Sequence, residues 1–176
     1  MEIILSTNDI KYMNKAITFA RKALNRGDFP VGCVITHNGE IIATGERTGT
    51  FENTTNELDH AEINALRKLG KLKGHKTINP HTITLYCTLE PCLMCFSAIM
   101  IHGISRVVYA FEDAMGGGTN LDRTNLKPLY RDHSIEIISG ICRSESLGLF
   151  KSFFSDPNNR YLNDTYLAHY VREQEM

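Results

Sequence analysis

The chain has 176 residues, of which 42% are apolar, and its formal net charge is −1. This length is enough for one domain with a hydrophobic core, and the near-neutral charge predicts no global positive field that would attract phosphate backbones or anionic lipid. No apolar run approaches the length of a membrane span, and residues 1–5 are too few and too acidic for a signal peptide. We therefore expect one compact domain in a reducing cytoplasm, which five cysteines without a disulfide framework also favour.

The first part of the chain predicts a helix followed by a hairpin. Capping residues at 6–9 precede apolar residues that recur at helical spacing over residues 10–24. Residues 29–35 have the composition of a buried strand, and an Asn-Gly pair at 38–39 predicts a tight turn into a return strand at 40–45. The two strands should pair antiparallel.

A polar loop over residues 46–59, rich in Thr, Asn and Gly, leads to a second helix. Asp59 is suited to cap this helix, which His60 opens and which carries an apolar face. This arrangement places His60 and Glu62 together on the first helical turn.

A β-rich run at 82–88 leads into Pro91, a residue favoured in the first turn of a helix, and Cys92 at the helix N-terminus gains thiolate character from the helix dipole. The remaining predicted elements are strands at 106–111 and 134–139, helices at 144–154 and 161–171, and a mobile loop at the three glycines 116–118. A hairpin followed by alternating helices and strands predicts an α/β fold with a mixed sheet of about five strands flanked by helices. We assign residues 1–156 to one domain and residues 157–176 to a C-terminal helical extension of the same domain.

His60, Cys92 and Cys95 provide one imidazole and two thiolates, a donor set that suits Zn²⁺. Three protein ligands leave the fourth tetrahedral position open for water, as in a catalytic zinc site. Glu62 is too close to His60 to be a further ligand, but it is well placed to take a proton from the activated water and pass it to a substrate. The pattern therefore predicts hydrolytic attack on an electrophilic carbon.

Three other interpretations of these residues stay open at the level of sequence. The Cys-x-x-Cys pair also has the spacing of a redox pair, although that role leaves the His-x-Glu motif unused. A structural zinc site would need a fourth ligand, for which Cys87 or His102 is available, but Cys87 falls in the predicted buried strand. Glu62 is also compatible with an ordinary solvated carboxylate in the first turn of a helix.

The order His-x-Glu followed by Pro-Cys-x-x-Cys resembles the signature of the zinc-dependent nucleobase and nucleoside deaminases. The stretches 88–95, 101–102 and 106–109 look most like bacterial tRNA adenosine deaminases; the similarity runs over residues 10–154, and guanine and cytosine deaminases share much of it. The resemblance implies a three-layer cytidine-deaminase-like fold, zinc at the three ligands named above, and displacement of an exocyclic amine as ammonia while Glu62 shuttles protons. It also implies a homodimer or higher homo-oligomer.

Four further residues match positions that line the substrate pocket in that family. Phe29 and Val31 belong to a Phe-Pro-Val-Gly segment that resembles one wall of the base pocket, and plain core packing is the alternative for both. Arg47 occupies the position of a base-binding Asn, and because a guanidinium only donates hydrogen bonds, it would require acceptors on the substrate. Asp113 is retained in the loop after the fourth strand, where its neighbours lack the basic residues of tRNA deaminases.

The sequence leaves three functions open. The first is deamination of adenosine in a tRNA anticodon loop, for which three lysines at 71, 73 and 76 offer a small basic patch. The second is deamination of a free base or related small heterocycle, such as guanine or cytosine, which the weak basic character of the chain and Arg47 fit better. The third is a zinc-stabilised binding module without turnover, against which Glu62 argues. The C-terminal aromatic stretch, with Tyr166, Tyr170 and Val171 at helical spacing, would serve either an oligomer contact or packing on its own domain.

Overall fold

The computed structural model describes residues 7–51, 56–74 and 77–175. Its helices are α1 (Thr7–Asn25), α2 (Ala61–Lys71), α3 (Leu93–Ile101), α4 (Pro128–Arg131), α5 (Arg143–Ser155) and α6 (Tyr166–Glu173). Its strands are β1 (Gly32–His37), β2 (Glu40–Glu46), β3 (Ile83–Leu89), β4 (Arg106–Phe111) and β5 (Glu136–Ile138). The predicted capping residue Ser6, and Lys76 of the predicted basic patch, lie outside the described residues.

In the described part of the chain, five strands form one mixed sheet in the order β2-β1-β3-β4-β5. β1 pairs antiparallel with β2 and with β3, whereas β4 pairs parallel with β3 and with β5. Parallel neighbours need a crossover connection, and α3 supplies it between β3 and β4. The predicted mixed sheet of about five strands is confirmed.

The hairpin between β1 and β2 turns where the sequence predicts it. Asn38 and Gly39 both have a left-handed backbone, with φ of 49° and 79°, as a two-residue turn of type I′ requires. Asn and Gly tolerate this conformation better than other residues, so the dipeptide fixes the register of the two strands.

Helices cover both faces of the sheet and produce a three-layer arrangement. On one face, Val34 and Tyr86 pack against α1. On the other face, Cys33 and Cys87 pack in a cluster with α2 and with Ile99 of α3. Because strand side chains alternate between faces, consecutive residues such as Tyr86 and Cys87 contribute to different layers. The N-terminal ends of α2 and α3 therefore lie on the same face of the sheet.

α6 begins at Tyr166, later than the predicted start at Tyr161. The left-handed backbone of Leu162, with φ of 54°, is incompatible with a continuous helix through this segment. Thr165 then provides a new helix start, since its hydroxyl accepts a hydrogen bond from the backbone N–H of Ala168. The segment between residues 156 and 165 is consequently a loop.

The predicted cap of α2 is also corrected. His60 occupies the N-cap position with no side-chain capping bond. The carboxylate of Asp59 instead accepts a hydrogen bond from Asn56 Nδ2 at 2.6 Å and pairs with Arg67 in the second turn of α2. Asp59 therefore anchors the preceding loop to the helix, and the imidazole of His60 is left to face the cysteines.

Candidate active site

Three donor atoms converge where the N-terminal ends of α2 and α3 approach each other. His60 is the N-cap residue of α2, Cys92 is the N-cap residue of α3, and Cys95 lies in the first turn of α3. Nδ1 of His60 is 3.6 Å from the sulfur of Cys92 and 3.5 Å from the sulfur of Cys95. A tetrahedral zinc with Zn–N of about 2.0–2.1 Å and Zn–S of about 2.3 Å implies N···S separations of about 3.6 Å. The donor set therefore fits Zn²⁺ in both chemistry and spacing.

The two sulfurs of this cluster differ in protonation. A hydrogen bond from the Cys95 thiol, assisted by His60, lowers the pKa of Cys92 to about 4. The same hydrogen bond, together with burial, raises the pKa of Cys95. The pair thus holds one negative charge at neutral pH, and binding of a divalent cation would displace the second proton.

The residues proposed as a fourth zinc ligand lie elsewhere. Cys87 is buried in β3, where its thiol is hydrogen-bonded to Glu62. His102 follows the far end of α3 and is exposed, with Nδ1 at 2.9 Å from the carbonyl oxygen of Ala98. Among the described residues, the metal-binding cluster contains three protein donors. Three donors leave an open coordination position, which is the arrangement of a catalytic zinc site rather than a structural one.

Glu62 is buried beside the donor cluster, with 3% of its surface exposed. It lies in the first turn of α2 and contacts Cys87 of the sheet below. Burial raises the pKa of Glu62 above its ordinary value, and the nearby His60 opposes this only in part. A carboxylate buried to this degree is not in contact with bulk solvent, so the solvated-carboxylate interpretation of Glu62 is wrong.

A cavity of about 220 Å³ opens next to the cluster, lined by His60, Glu62 and Cys92. The four residues predicted to contact substrate also line it, namely Phe29, Val31, Arg47 and Asp113. Sites for drug-sized ligands usually measure about 300–1,000 Å³, so this cavity has the size for a single heterocyclic base. Whether these four side chains touch the base stays a prediction.

Phe29 belongs to the cavity wall and to the core at once. Its ring is 5.2 Å from the ring of Phe150, 5.3 Å from that of Phe153 and 5.7 Å from that of Tyr161, measured between centroids. These contacts leave 5% of Phe29 exposed. The core-packing interpretation of Phe29 is therefore confirmed, and this packing fixes the wall of the cavity. Its contact with the base stays a prediction.

Arg47 is on the cavity wall, but its terminal nitrogens are engaged by the protein. The residue is 2% exposed. Nη1 donates to the carbonyl oxygens of Thr48 at 2.8 Å and Asn56 at 2.6 Å. Nη2 donates to Glu57 Oε2 at 3.1 Å and to the Tyr161 hydroxyl at 3.3 Å. Each Nη hydrogen thus has an acceptor within the chain, which removes these donors from direct recognition of a base.

Glu90 organises the opposite rim of the cavity. Its buried carboxylate accepts hydrogen bonds from the backbone N–H groups of Asp113 and Thr119, both at 3.2 Å. Gly117 lies against it, where an added Cβ would be 2.7 Å from the Asp113 carbonyl oxygen and closer still to the Glu90 carboxylate. Gly117 therefore allows close approach of the backbone to Glu90. The mobility predicted for this loop stays a prediction.

Several lining residues escaped the sequence analysis, namely Glu57, Glu90, Tyr161, Leu162 and Leu167. Glu57 stands three positions before His60 in a polar loop, and a carboxylate in such a loop is normally solvated. Tyr161 and Leu162 reach the cavity only because the C-terminal segment folds back to it. No local sequence pattern predicts this long-range contact.

Together, the fold and the site define a class of protein, the hydrolytic zinc enzymes. In these enzymes a buried carboxylate transfers protons beside a zinc ion that has one coordination position open. Residues 6–111 match the family model described as the cytidine and deoxycytidylate deaminase zinc-binding region, and the chain belongs to this family. It is accordingly a nucleobase deaminase with zinc as its cofactor. No helix within the described residues has the length and apolarity needed to cross a membrane.

Known relatives and solved structures agree with this placement. The chain is 34% identical to a tRNA-specific adenosine deaminase of Bacillus subtilis over 85% of its own length and 91% of the relative's. A structure from a study of A-to-I editing by tRNA:A34 deaminases superimposes with a TM-score of 0.64 and 33% identity, covering 79% of this chain and 98% of the other. A diaminohydroxyphosphoribosylaminopyrimidine deaminase/reductase of Thermotoga maritima gives a TM-score of 0.62 and 28% identity, covering 84% of this chain and 40% of the other. The predicted cytidine-deaminase-like fold is confirmed.

Proposed function

We propose that this protein deaminates adenosine to inosine in the anticodon loop of tRNA. The observation that carries the proposal is the 34% identity with a tRNA-specific adenosine deaminase along almost the whole relative, combined with an intact donor cluster and Glu62. The reaction consumes water and releases ammonia. It requires a single-stranded or flipped base, and the cavity of about 220 Å³ has room for one base.

The side chains of the site have distinct roles in the proposed reaction. His60, Cys92 and Cys95 would hold zinc, and zinc, when bound, supplies Lewis acidity and a water nucleophile at neutral pH. The Glu62 carboxylate takes a proton from the attacking water and delivers it to the departing amine. The apolar walls formed by Phe29 and Val31 exclude bulk water from the base, which strengthens the hydrogen bonds made inside the cavity.

The proposal is tested by measuring ammonia release from zinc-loaded protein on an anticodon stem-loop RNA that contains adenosine at the target position. Free adenine, guanine, cytosine and their nucleosides are assayed in parallel. We expect turnover of the RNA and none of the free compounds at matched concentration. Turnover of guanine or cytosine without turnover of the RNA would assign the protein to free-base deamination instead.

We further propose that the protein forms homo-oligomers. Its apolar side chains Leu93 and Ile101 on α3, with Leu129 on α4, are more than half exposed in the single chain. The predicted contact at the C-terminal aromatic stretch is less suitable, since Val171 of that stretch is fully buried in its own domain. Mass measured by light scattering would show a multiple of 19.9 kDa, and a monomer at micromolar concentration would refute the assignment.

We also place the enzyme in the cytoplasm. tRNA is available there, and the reducing environment keeps the thiolates of Cys92 and Cys95 free for metal. Cell fractionation with an antibody against the chain would test this placement.

A further inference from the structure

Arg47, Glu57 and Tyr161 form a hydrogen-bonded group on the wall of the cavity, which we name the mouth cluster. Nη2 of Arg47 donates to Glu57 Oε2 at 3.1 Å, and the Tyr161 hydroxyl donates to the same oxygen at 2.8 Å. These two donors fix the direction of the Glu57 carboxylate, although 59% of its side chain is exposed. An exposed glutamate that is oriented in this way differs from an ordinary solvated one, whose side chain samples several rotamers.

The mouth cluster leaves one acceptor free. Within the described ranges of the chain, Oε2 of Glu57 accepts two hydrogen bonds and Oε1 accepts none. An ionised carboxylate oxygen only accepts, so Oε1 is suited to a ligand that donates. The ion pair with the buried Arg47 offsets the charge of Glu57, which reduces the repulsion of an anionic nucleic acid from this side of the cavity.

The burial of the lining residues shows which end of the cavity Glu57 occupies. Glu62, next to the metal-binding donors, is 3% exposed and marks the inner end, whereas Glu57 and Met115 are exposed and mark the outer end. A flipped nucleotide places its reacting carbon at the inner end and its sugar at the outer end. A nucleotide bound in this orientation would place its sugar, rather than the reacting part of the base, near Glu57.

The chemistry of adenosine in RNA limits what can donate to Glu57. Apart from the amine that is lost, adenine presents only acceptor nitrogens on its edges. The 3′ and 5′ oxygens of an internal nucleotide are esterified, which leaves the 2′-hydroxyl as the donor on its ribose.

We propose that Glu57 is a specificity-determining residue that accepts a hydrogen bond from the 2′-hydroxyl of the target adenosine and so selects ribonucleotide over deoxyribonucleotide. Arg47 and Tyr161 are positioning residues that hold the Glu57 carboxylate in place. This inference rests on the tRNA function proposed above, and it gives Arg47 an indirect role in place of the direct base contact predicted from the sequence.

The test compares two oligonucleotides that differ in one atom. One is the anticodon stem-loop RNA, and the other is the same RNA with a single 2′-deoxyadenosine at the target position. The measured quantity is the ratio of kcat/KM for the two, which is independent of the fraction of folded, zinc-loaded enzyme. We expect the wild-type enzyme to prefer the ribonucleotide by about 10- to 100-fold, the range for one hydrogen bond to a charged group.

Two variants then assign the preference to the mouth cluster. Glu57→Ala leaves no side-chain group that could bond to the 2′-hydroxyl, so it should bring the ratio close to 1, with the loss in kcat/KM confined to the ribonucleotide. Tyr161→Phe keeps the ion pair between Arg47 and Glu57 but removes one of the two donors to Oε2, so an intermediate ratio is expected. Glu40→Ala makes the same truncation at an exposed position on β2 and should leave the ratio at the wild-type value.

The outcomes separate the two proposals. Turnover of neither oligonucleotide would overturn the tRNA function, and this inference with it. Equal turnover of both by the wild-type enzyme would overturn the inference alone and leave the function standing. An unchanged preference in Glu57→Ala would show that another group recognises the 2′-hydroxyl, which also overturns the inference.

Discussion

At the residue scale, the donor cluster and Glu62 work because two helix starts bring them to one point. Cys92 and His60 are both N-cap residues, and the partial positive charge of a helix N-terminus favours thiolate at Cys92. Glu62 is buried between this cluster and the sheet. Burial disfavours the ionised form of the Glu62 carboxylate. The residue that the reaction needs therefore does not stabilise the folded state in its ionised form.

Glu62→Gln should therefore separate catalysis from stability. We expect kcat to fall by about 10²- to 10⁴-fold, the usual contribution of a positioned acid or base. Zinc content and the free energy of unfolding should not decrease, because the substitution removes a buried charge and leaves the metal ligands in place. Ammonia release, metal analysis and urea denaturation measure the three quantities.

Glu145→Gln is the matched control for this variant, since Glu145 is a first-turn carboxylate on α5 that is exposed. It should retain full activity. Normal turnover by Glu62→Gln, or loss of its zinc, would contradict the role given to Glu62.

The sequence predicts these residues well because the ligands and the carboxylate stand in two short, local motifs. Arg47 shows where prediction from sequence ends. Nothing in the sequence around Arg47 indicates that Asn56, Glu57 and Tyr161 will accept its hydrogen bonds. Tyr161 is 114 positions away along the chain, and no local pattern predicts such a contact.

At the element scale, the contacts between elements account for features that composition alone does not specify. Three consecutive glycines favour a mobile loop when read alone, and the fold adds a steric requirement, because Gly117 allows the chain to pass directly over the Glu90 carboxylate. The helix predicted from Tyr161 likewise starts only at Tyr166, because the chain first makes a left-handed turn at Leu162. Both features arise from tertiary contacts or backbone geometry rather than from composition.

Two glycine substitutions test this account. Gly117→Ala should lower activity about 10-fold or more, because the new methyl group would push the loop away from Glu90 and from Cys92, with which Gly117 forms a β-bridge. Gly70→Ala, in α2 with open space around the new Cβ, should instead raise the free energy of unfolding by about 0.5–1 kcal/mol. Ammonia release and urea denaturation of both variants would show the contrast. Equal activity in the two would argue that the loop tolerates displacement.

A partly buried ion pair joins α1 to the sheet on the face away from the active site. Arg106 donates from Nη1 and Nη2 to the two carboxylate oxygens of Asp9, both at 3.0 Å, and the Tyr86 hydroxyl donates at 2.8 Å. Burial alone would raise the pKa of Asp9, but these hydrogen bonds outweigh it and hold the pKa below its ordinary value. The ionised carboxylate thus stabilises the folded state.

Because the pKa of Asp9 is lower in the folded than in the unfolded chain, its contribution is complete above the unfolded value of about 3.9 and is lost as the pH falls through the folded value. We expect Asp9→Asn to lower the free energy of unfolding by about 1–3 kcal/mol at pH 7. The difference from wild type should shrink below about pH 4. Urea denaturation of both proteins between pH 7 and pH 3 measures it, and a difference that stays constant would contradict the linkage.

At the scale of the whole molecule, the C-terminal segment completes the cavity. Leu162 and Leu167 line it, and Ala168 and Val171 are buried in the same core as α5. The sequence predicts the existence of α6 and its apolar spacing, but both an oligomer contact and intramolecular packing satisfy that pattern. Only the tertiary structure shows that α6 closes its own domain. The division at residues 156 and 157 stays a prediction.

If the segment is part of one cooperative unit, a cavity-forming change in α6 should destabilise the entire protein. Leu167 is 1% exposed, so Leu167→Ala is expected to lower the free energy of unfolding by about 2–5 kcal/mol. Tyr166→Ala changes the preceding residue, which is 65% exposed, and should cost less than about 1 kcal/mol. Urea denaturation followed by far-UV circular dichroism should show one transition in each variant, shifted to lower denaturant in Leu167→Ala. A separate early transition with the main one unchanged would mean that α6 unfolds alone, and residues 157–176 would then form an independent appendage.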